Sequence, residues 1–282
     1  MNFLELDCFD KEQIFQIFNI AKNIKNEYNK NYLKGMTFVL FFPESSIRTR
    51  VTFEMALKNL GAEIILFPST TLDKREETKD VIGYLKNWVN GIIVRHSDFN
   101  KIEEMTKYSG IPVINAMSSK NHPCEIMSDL FSLNELNKDF LELKYVFIGG
   151  KGNIAYSWME AARILDLEFI HISENNEKMK DNDANYSFTT SLIDGIKNAD
   201  VILTDPLPKH MRNKEYYNKY QLTKKHLEYC NKNIIVNPCP PFYRGEEIEA
   251  SIIDSKAFVG YEFKKNLLYV QQAIILYCLN IL

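Results

Sequence analysis

The segment Ser45–Arg50 carries side chains that could bind a phosphate group, namely two serines, a threonine and two arginines. It lies between Met36–Phe42, whose apolar and β-branched residues predict a buried strand, and a helical pattern that ends at Gly61. Backbone amides and the positive end of a helix dipole create an anion site at such a junction, which hydroxyl groups and a guanidinium can complete. The alternative interpretation is an N-cap serine followed by solvated arginines.

Two further segments carry groups suited to binding or catalysis. Arg95 and His96 end a predicted strand, and His122-Pro-Cys-Glu125 stands at a predicted helix start. In a doubly wound sheet, ligands bind at the carboxyl ends of the strands, so these segments and Ser45–Arg50 are expected to share one cleft. Taken singly, Arg95 also fits a structural ion pair, and His122 fits a capping or surface histidine.

The second half of the sequence contains a glycine-rich turn and two proline-containing segments after predicted strands. Phe147–Ala155 holds a G-x-G-x-x-A string, and Glu174 follows it about twenty residues later, which fits the fingerprint of a nicotinamide-dependent oxidoreductase. The segments Thr204–His210 and Asn237–Gly245 could contact a ligand or form rigid surface loops. Within the latter, Pro240–Pro241 is a candidate cis peptide bond.

The elements that position these segments alternate between strands and helices, which predicts parallel sheets covered by helices. The predicted strands are 36–42, 64–67, 91–95, 112–115, 144–148, 168–172, 201–204 and 233–236. Besides the helix that ends at Gly61, the predicted helices are 11–30, 76–89, 100–108, 122–136, 154–166 and 267–282. The polar stretch Asn134–Asp139 marks a boundary between two lobes, and the segment 174–187 is expected to be a surface loop.

The composition is that of a globular protein that binds small molecules. The 282 residues are 45% hydrophobic and 25% charged, which excludes a disordered or low-complexity chain. A formal charge of -3 gives no global field for attracting nucleic acid or an acidic membrane, so neither is an expected partner. The acidic start and the lack of a long apolar run predict a cytoplasmic location. Five scattered cysteines without a C-x-x-C pair indicate neither a disulfide framework nor a metal site.

Taken in order, the segments resemble the aspartate and ornithine carbamoyltransferase family over essentially the whole chain. The S-T-R-T-R motif of that family is similar to Ser46–Arg50, its H-P-C-Q motif to His122–Glu125, and its strand-end arginine to Arg95. Its H-C-L-P-x-x-R-G-x-E segment aligns without a gap on Pro238–Glu247. Four motifs in the right order are far more specific than any one of them.

The resemblance implies an α/β fold of two doubly wound parallel-sheet lobes. Residues 1–133 would form the carbamoyl-phosphate-binding domain, with the C-terminal helix 266–282 packing back on it, and residues 134–265 would form the amino-acid-binding domain. The resemblance also implies a homotrimer with active sites at subunit interfaces, where Lys74 would reach a neighbouring site from the loop Lys74–Glu76. It implies no cofactor and no metal ion.

The resemblance further assigns roles to individual residues. Arg95 and His122 would polarise the carbamoyl oxygen, on which negative charge grows as an amine attacks, and Cys239 would be a third catalytic residue. The residues that would bind carbamoyl phosphate are Ser46, Ile47, Arg48, Thr49, Lys74, Arg95, His122 and Glu125. The residues that would bind the amino acid are Asn153, Asp205, Lys209, His210, Cys239 and Pro240.

The implied activity is transfer of the carbamoyl group of carbamoyl phosphate to the amino group of ornithine or a related amino acid or diamine. The turn Gly149–Asn153 has the length found in the ornithine branch, and Asp205 has the wrong charge for the extra carboxylate of aspartate. Several positions depart from the family: Ile47 replaces threonine, Glu125 glutamine, Pro238 histidine, Pro240 leucine and Leu267 arginine, and Pro208–His210 replaces a serine-methionine-glycine loop. The changes at Glu125 and Leu267 keep a second hypothesis open, a non-catalytic member that binds carbamoyl phosphate or another phosphate ligand in a regulatory or structural role.

Overall fold

The computed structural model describes residues 1–26, 31–136 and 139–282 and contains two compact units. Unit 1 consists of residues 1–132 and 264–282, and unit 2 of residues 133–263. Each unit has its own parallel sheet flanked by helices, which confirms the predicted α/β fold class. Within the described ranges, none of the helices is long and apolar enough to span a membrane.

Unit 1 is built on a parallel sheet with the strands β1 (Thr37–Phe42), β2 (Glu63–Pro68), β3 (Gly91–Arg95) and β4 (Val113–Met117). The strand order is β2-β1-β3-β4, so the direction of winding changes between β1 and β3. Ligands of open parallel sheets bind at such a point, outside the carboxyl ends of the strands. The helices are α1 (Lys11–Asn26), α2 (Arg48–Asn59), α3 (Thr78–Leu85), α4 (Phe99–Ser109) and α5 (Pro123–Leu136).

A capping box begins α1. The Asp10 carboxylate accepts a hydrogen bond from the Gln13 amide at 2.8 Å, and the Gln13 side chain accepts one from the Asp10 amide at 3.0 Å. The helix is described as far as Asn26, and the remaining residues of the predicted helix, 27–30, lie outside the described residues.

The central strands of unit 1 are almost entirely buried, because helices cover both faces of the sheet. Such strands carry continuous apolar runs, as Phe38–Phe42 of β1 does. One core cluster joins residues of β1 and β3 to residues of α4, namely Val39, Phe41, Ile92, Val94, Ile102 and Met105. This rigid core fixes the positions at which β1 and β3 end.

Unit 2 contains a parallel sheet with the strands β5 (Lys144–Ile148), β6 (Glu168–Ile172), β7 (Tyr186–Thr189), β8 (Val201–Thr204) and β9 (Ile235–Pro238). The order is β7-β6-β5-β8-β9, so the winding reverses between β5 and β8. Its helices are α6 (Asn153–Leu165), α7 (Leu192–Ile196), α8 (Lys214–Tyr220) and α9 (Ala250–Ile253).

The segment 174–187 is for the most part the surface loop that its polar composition predicts, with two buried side chains as exceptions. Glu177 is buried, and Tyr186 is buried as the first residue of the edge strand β7. The Tyr186 hydroxyl accepts a hydrogen bond from the Met179 amide at 3.2 Å. These two residues depart from the prediction because Glu177 contacts the distant Lys151 amide and β7 pairs with β6. The last strand, β9, also lies two residues later than the predicted 233–236.

The final helix, α10, spans Gly260–Cys278, whereas the apolar pattern predicted a start at Leu267. Its later part packs on unit 1, because the Met1 ammonium donates to the Cys278 carbonyl at 2.7 Å and the Gln272 side chain donates to the Ala56 carbonyl of α2 at 3.3 Å. The predicted return of the last helix to the first lobe is therefore confirmed. The earlier start places Lys264 within the helix.

Candidate active site

The junction between β1 and α2 leaves the first amides of α2 uncapped by a side chain. Ile47 is the N-cap residue, its side chain is exposed and makes no capping hydrogen bond, and helical backbone angles begin there. The interpretation of a serine N-cap is therefore wrong, since Ser46 lies one residue earlier and is buried. Free amide donors and the positive helix end make this junction suited to an anion.

Arg95 joins this junction from the neighbouring strand. Because β1 and β3 are paired in parallel, with Phe41 opposite Val94, their carboxyl ends lie side by side. The Arg95 guanidinium donates hydrogen bonds to the hydroxyls of Ser46 at 3.1 Å and Thr49 at 3.3 Å. The sheet thus brings two hydroxyls and a cation from distant segments to the start of α2.

The two arginines of the Ser45–Arg50 segment have different surroundings. Arg48 is exposed at the first position of α2, where its charge helps to lower the pKa of Glu125. The Arg50 guanidinium instead pairs with Glu54 on the same helix at 2.6 Å. Arg48 is therefore accessible to an added anion on the side of the unit that carries Glu125, and Arg50 already has a carboxylate partner.

His122 is buried directly before α5, so the interpretation of a surface histidine is wrong. Burial lowers the pKa of His122 to about 4, with smaller contributions from the charges of Arg95 and Lys264, although Glu125 acts in the opposite direction. The imidazole is consequently neutral near pH 7. A neutral imidazole can donate one hydrogen bond and accept another.

The depressed pKa of His122 makes the stability of the protein depend on pH. An unfolded histidine titrates near pH 6.5, so between pH 6.5 and pH 4 the unfolded chain binds a proton that the folded chain does not. We expect His122→Gln to remove about 2 kcal/mol of the stability loss seen on going from pH 7.5 to pH 5. Urea unfolding of both proteins at the two pH values measures this difference. An unchanged pH dependence in the variant would contradict the burial of a neutral imidazole.

Glu125 lies in the first turn of α5 and is paired with a lysine from α10. The Lys264 ammonium is 2.6 Å from the Glu125 carboxylate and 2.7 Å from that of Asp129. Burial opposes ionisation of Glu125, but interactions with Lys264, His122 and Arg48 outweigh it, so the pKa of Glu125 lies below its ordinary value. Glu125 is therefore an ionised hydrogen-bond acceptor next to His122.

Lys74 is exposed after a short 3-10 helix, Ser69–Asp73, and contacts of Asp73 attach this helix to the segment around the start of α4. The Asp73 carboxylate accepts from His96 Nε2 at 3.0 Å and pairs with Lys101. His96 Nδ1 in turn accepts a hydrogen bond from the Asp98 amide at 3.0 Å.

A cavity of about 300 Å³ opens beside this segment and is lined in part by Arg95 and His96. It lies at the carboxyl ends of the unit 1 strands, with Pro43 following β1 and Ser118 following β4. The Arg95 side chain thus borders open space on the side where the sheet topology predicts a ligand.

In unit 2, the predicted residues gather at the carboxyl ends of β5 and β8. Asn153 is the first residue of α6, and a side chain built at Gly152 would lie 3.9 Å from the Asp205 carboxylate. The Cys239 amide donates to the Thr204 carbonyl at 2.9 Å, which holds Cys239 beside the start of the Asp205 segment. The peptide bond Pro240–Pro241, which follows, is cis, as predicted.

Glu177 connects two of the predicted segments, although no motif in the sequence indicated this role. Its carboxylate accepts from the Lys151 amide at 2.8 Å in the glycine-rich turn and lies 3.2 Å from His210 Nε2. Lys209 and His210 are themselves exposed in a 3-10 helix after β8. Glu177 thus fixes the turn that leads into Asn153 relative to the segment that follows Asp205.

Comparison with known proteins identifies the family. A family model of the aspartate/ornithine carbamoyltransferase carbamoyl-P binding domain matches residues 1–135, and one of the Asp/Orn binding domain matches residues 141–278. The second match includes the glycine-rich turn Gly149–Asn153 and replaces its interpretation as a dinucleotide fingerprint.

Individual relatives match the chain over nearly the full length of both proteins. The chain is 31% identical to the ornithine carbamoyltransferase of Methanococcus aeolicus, covering 98% of this chain and 99% of that protein. The crystal structure of the anabolic ornithine carbamoyltransferase from Campylobacter jejuni superimposes with a TM-score of 0.91 at 29% identity, covering 100% and 99% of the two chains. The solved structure of the ornithine carbamoyltransferase from Pyrococcus furiosus gives a TM-score of 0.90 at 26% identity, covering 98% of this chain and 96% of that chain. The chain therefore belongs to the aspartate/ornithine carbamoyltransferase family and is a carbamoyltransferase.

Proposed function

We propose that this carbamoyltransferase transfers the carbamoyl group of carbamoyl phosphate to the amino group of ornithine or a related amino acid or diamine and releases phosphate. The observation that carries the proposal is the hydrogen-bonded group of Ser46, Thr49 and Arg95 at the start of α2. His122 interacts electrostatically with Arg95, and Glu125 with Arg48. The reaction belongs to amino-acid metabolism.

Unit 1 would hold the donor by its phosphate. The amides at the start of α2, the hydroxyls of Ser46 and Thr49 and the Arg48 guanidinium can together satisfy several phosphate oxygens. Ile47 contributes through its backbone, since its side chain is exposed. The phosphate is the leaving group, so donors that neutralise its charge also favour its departure.

Arg95 and His122 would act on the carbamoyl oxygen. As the amine attacks the carbamoyl carbon, negative charge develops on this oxygen, and fixed donors stabilise it better than water does because they need no reorganisation. Arg95 is held by Ser46 and Thr49, and His122 is held by burial at the start of α5. Each donor is thereby fixed before the substrate arrives.

Unit 2 would hold the acceptor. Asp205 supplies a negative charge near Asn153, which suits an acceptor with a second amino group and opposes one with a second carboxylate. Lys209, His210, Cys239 and Pro240 would contribute from the two neighbouring segments. The attacking amine must be neutral, so the site must favour loss of its proton.

The acceptor is identified by an assay with the purified chain. Carbamoyl phosphate is mixed with ornithine, acylated ornithine, putrescine, 2,3-diaminopropionate or aspartate, and the carbamoylated product is measured by mass spectrometry. We expect product with ornithine or another acceptor that carries a second amino group, and little with aspartate. Lack of product with every amine, or a preference for aspartate, would contradict the proposal.

We also propose that the protein is a homotrimer with active sites at subunit interfaces, to which Lys74 of a neighbouring subunit contributes. Exposed apolar side chains support an interface on unit 1. Ile47, Val51 and Met55 recur every four residues along α2, and Ile65 and Phe67 are exposed on the edge strand β2, which contacts α2. An exposed edge strand beside an apolar stripe is typical of an association surface.

Replacing Val51 with aspartate is expected to convert the trimer to a monomer. Association would bury the new charge at the centre of the apolar stripe, which is unfavourable. Val51 is 55% exposed in the single chain, so the variant should still fold. Light scattering coupled to size exclusion measures the mass, and Ile193→Asp, at an exposed apolar position of unit 2, is the control. A trimeric Val51→Asp variant would place the interface elsewhere.

A further inference from the structure

We propose that Lys264 is a positioning residue that holds the Glu125 carboxylate in place as a hydrogen-bond acceptor for the NH₂ group of carbamoyl phosphate. The inference rests on the proposed function, since it requires the donor to bind beside His122. It assigns a role to α10, in which the sequence singles out only Leu267.

The geometry of the pair supports this role. Glu125 and Asp129 are one helical turn apart, so both carboxylates lie on the same face of α5. The Lys264 ammonium contacts both at hydrogen-bonding distance. The side chain of Glu125 is only 5% exposed, that of Asp129 is 4% exposed and that of Lys264 is 18% exposed. Two buried carboxylates at this spacing require a cation, because each alone would lose most of its hydration without compensation.

The position of Glu125 supports the assignment of its ligand. Its amide donates to the His122 carbonyl at 3.2 Å, so the first turn of α5 fixes the two residues relative to each other. Glu125 also interacts electrostatically with Arg48. A ligand whose phosphate meets Arg48 and whose carbamoyl oxygen meets His122 would present its NH₂ group near Glu125. An ionised carboxylate can only accept hydrogen bonds, and the amide NH₂ group of the ligand is a hydrogen-bond donor, so the two are complementary.

The pairing also explains how a carboxylate can stand near a phosphate. An uncompensated Glu125 would repel the donor, whereas the Lys264 charge offsets it and leaves the acceptor oxygens fixed. Without Lys264 the Glu125 carboxylate would be free to turn, to take up a proton or to repel the phosphate. Each of these changes would weaken recognition of the NH₂ group.

Two inert ligands that differ only at the NH₂ position test the proposal. Phosphonoacetamide keeps the NH₂ group of carbamoyl phosphate, and phosphonoacetone replaces it by a methyl group. We expect calorimetry on the full chain to show that the wild type prefers phosphonoacetamide by about tenfold or more. Lys264→Met should lose most of that preference, Lys264→Arg should keep it, and the control Lys265→Met, at the adjacent exposed lysine, should not change it.

The double variant separates positioning from a general effect of charge or folding. Glutamine at 125 needs no counter-charge, so Lys264→Met should change the preference little in the Glu125→Gln background. The proposal is overturned if Lys264→Met lowers the preference for phosphonoacetamide equally in both backgrounds. It is also overturned if Lys264→Met lowers the affinity for the two ligands equally. Should Lys264→Met alone not fold, Lys264→Arg and the double variant still decide the question. A wild type that binds neither ligand would contradict the proposed function instead.

Discussion

Arg48→Ala is expected to weaken the binding of carbamoyl phosphate by about 100-fold or more while changing the free energy of unfolding by less than about 0.5 kcal/mol. Arg48 is exposed at the first position of α2, so its removal leaves no cavity in the core. A forked guanidinium next to free helix amides makes charge-assisted hydrogen bonds to phosphate, which are among the strongest in proteins. Calorimetric titration with phosphonoacetamide and urea unfolding measure the two quantities.

Arg50→Ala is the matched control for this change. Arg50 lies on the same helix and has the same charge, but its guanidinium pairs with Glu54. An exposed pair of this kind contributes little to stability, so its loss should leave both folding and ligand affinity nearly unchanged. Equal losses of affinity in the two variants would mean that Arg48 acts only through the net charge of the unit. A large loss of stability in Arg48→Ala would mean that it is a structural arginine.

Asp205→Asn is expected to lower kcat/KM for an acceptor with two amino groups by about 100-fold, with little change in the affinity for carbamoyl phosphate. The substitution keeps the shape of the side chain and removes the negative charge that the second amino group of the acceptor would meet. Asp205 follows β8 in unit 2, and the residues that would bind the donor belong to unit 1. Steady-state kinetics with each substrate varied in turn separates the two effects.

Asp194→Asn, at an exposed position of α7, is the control for a general change of charge in unit 2. It should leave both kinetic parameters unchanged. If Asp205→Asn weakened carbamoyl phosphate binding as much as it raised KM for the acceptor, Asp205 would not belong to a separate acceptor site. An unchanged kcat/KM would exclude Asp205 from substrate binding altogether.

The sequence was sufficient to predict the elements that have strong local signals. The strands Gly91–Arg95 and Val201–Thr204 lie where the apolar runs predicted them, because strands covered on both faces must be continuously apolar. The alternation of strands and helices then determined that Ser46 and Arg95, which are distant in sequence, lie at the carboxyl ends of neighbouring strands.

The sequence was not sufficient where burial or charge depends on distant partners. Glu177 lies in a polar segment, and only the folded chain brings its carboxylate to the Lys151 amide and His210. The pairing of Glu125 with Lys264 joins α5 to α10, and no local pattern signals it. The start of α10 was missed for a related reason, since Tyr261–Lys265 contains mainly polar residues and the apolar period becomes regular only after them.

The central claim is that the start of α2 holds the phosphate of the donor while Arg95, His122 and Glu125 hold its carbamoyl group. A crystal structure of the protein with phosphonoacetamide tests this most directly. We expect phosphonate oxygens within hydrogen-bonding distance of Ser46, Thr49 and Arg48, the amide oxygen between Arg95 and His122, and the amide nitrogen on Glu125. A ligand bound away from α2, or one whose amide nitrogen faces Arg95 instead of Glu125, would contradict the account.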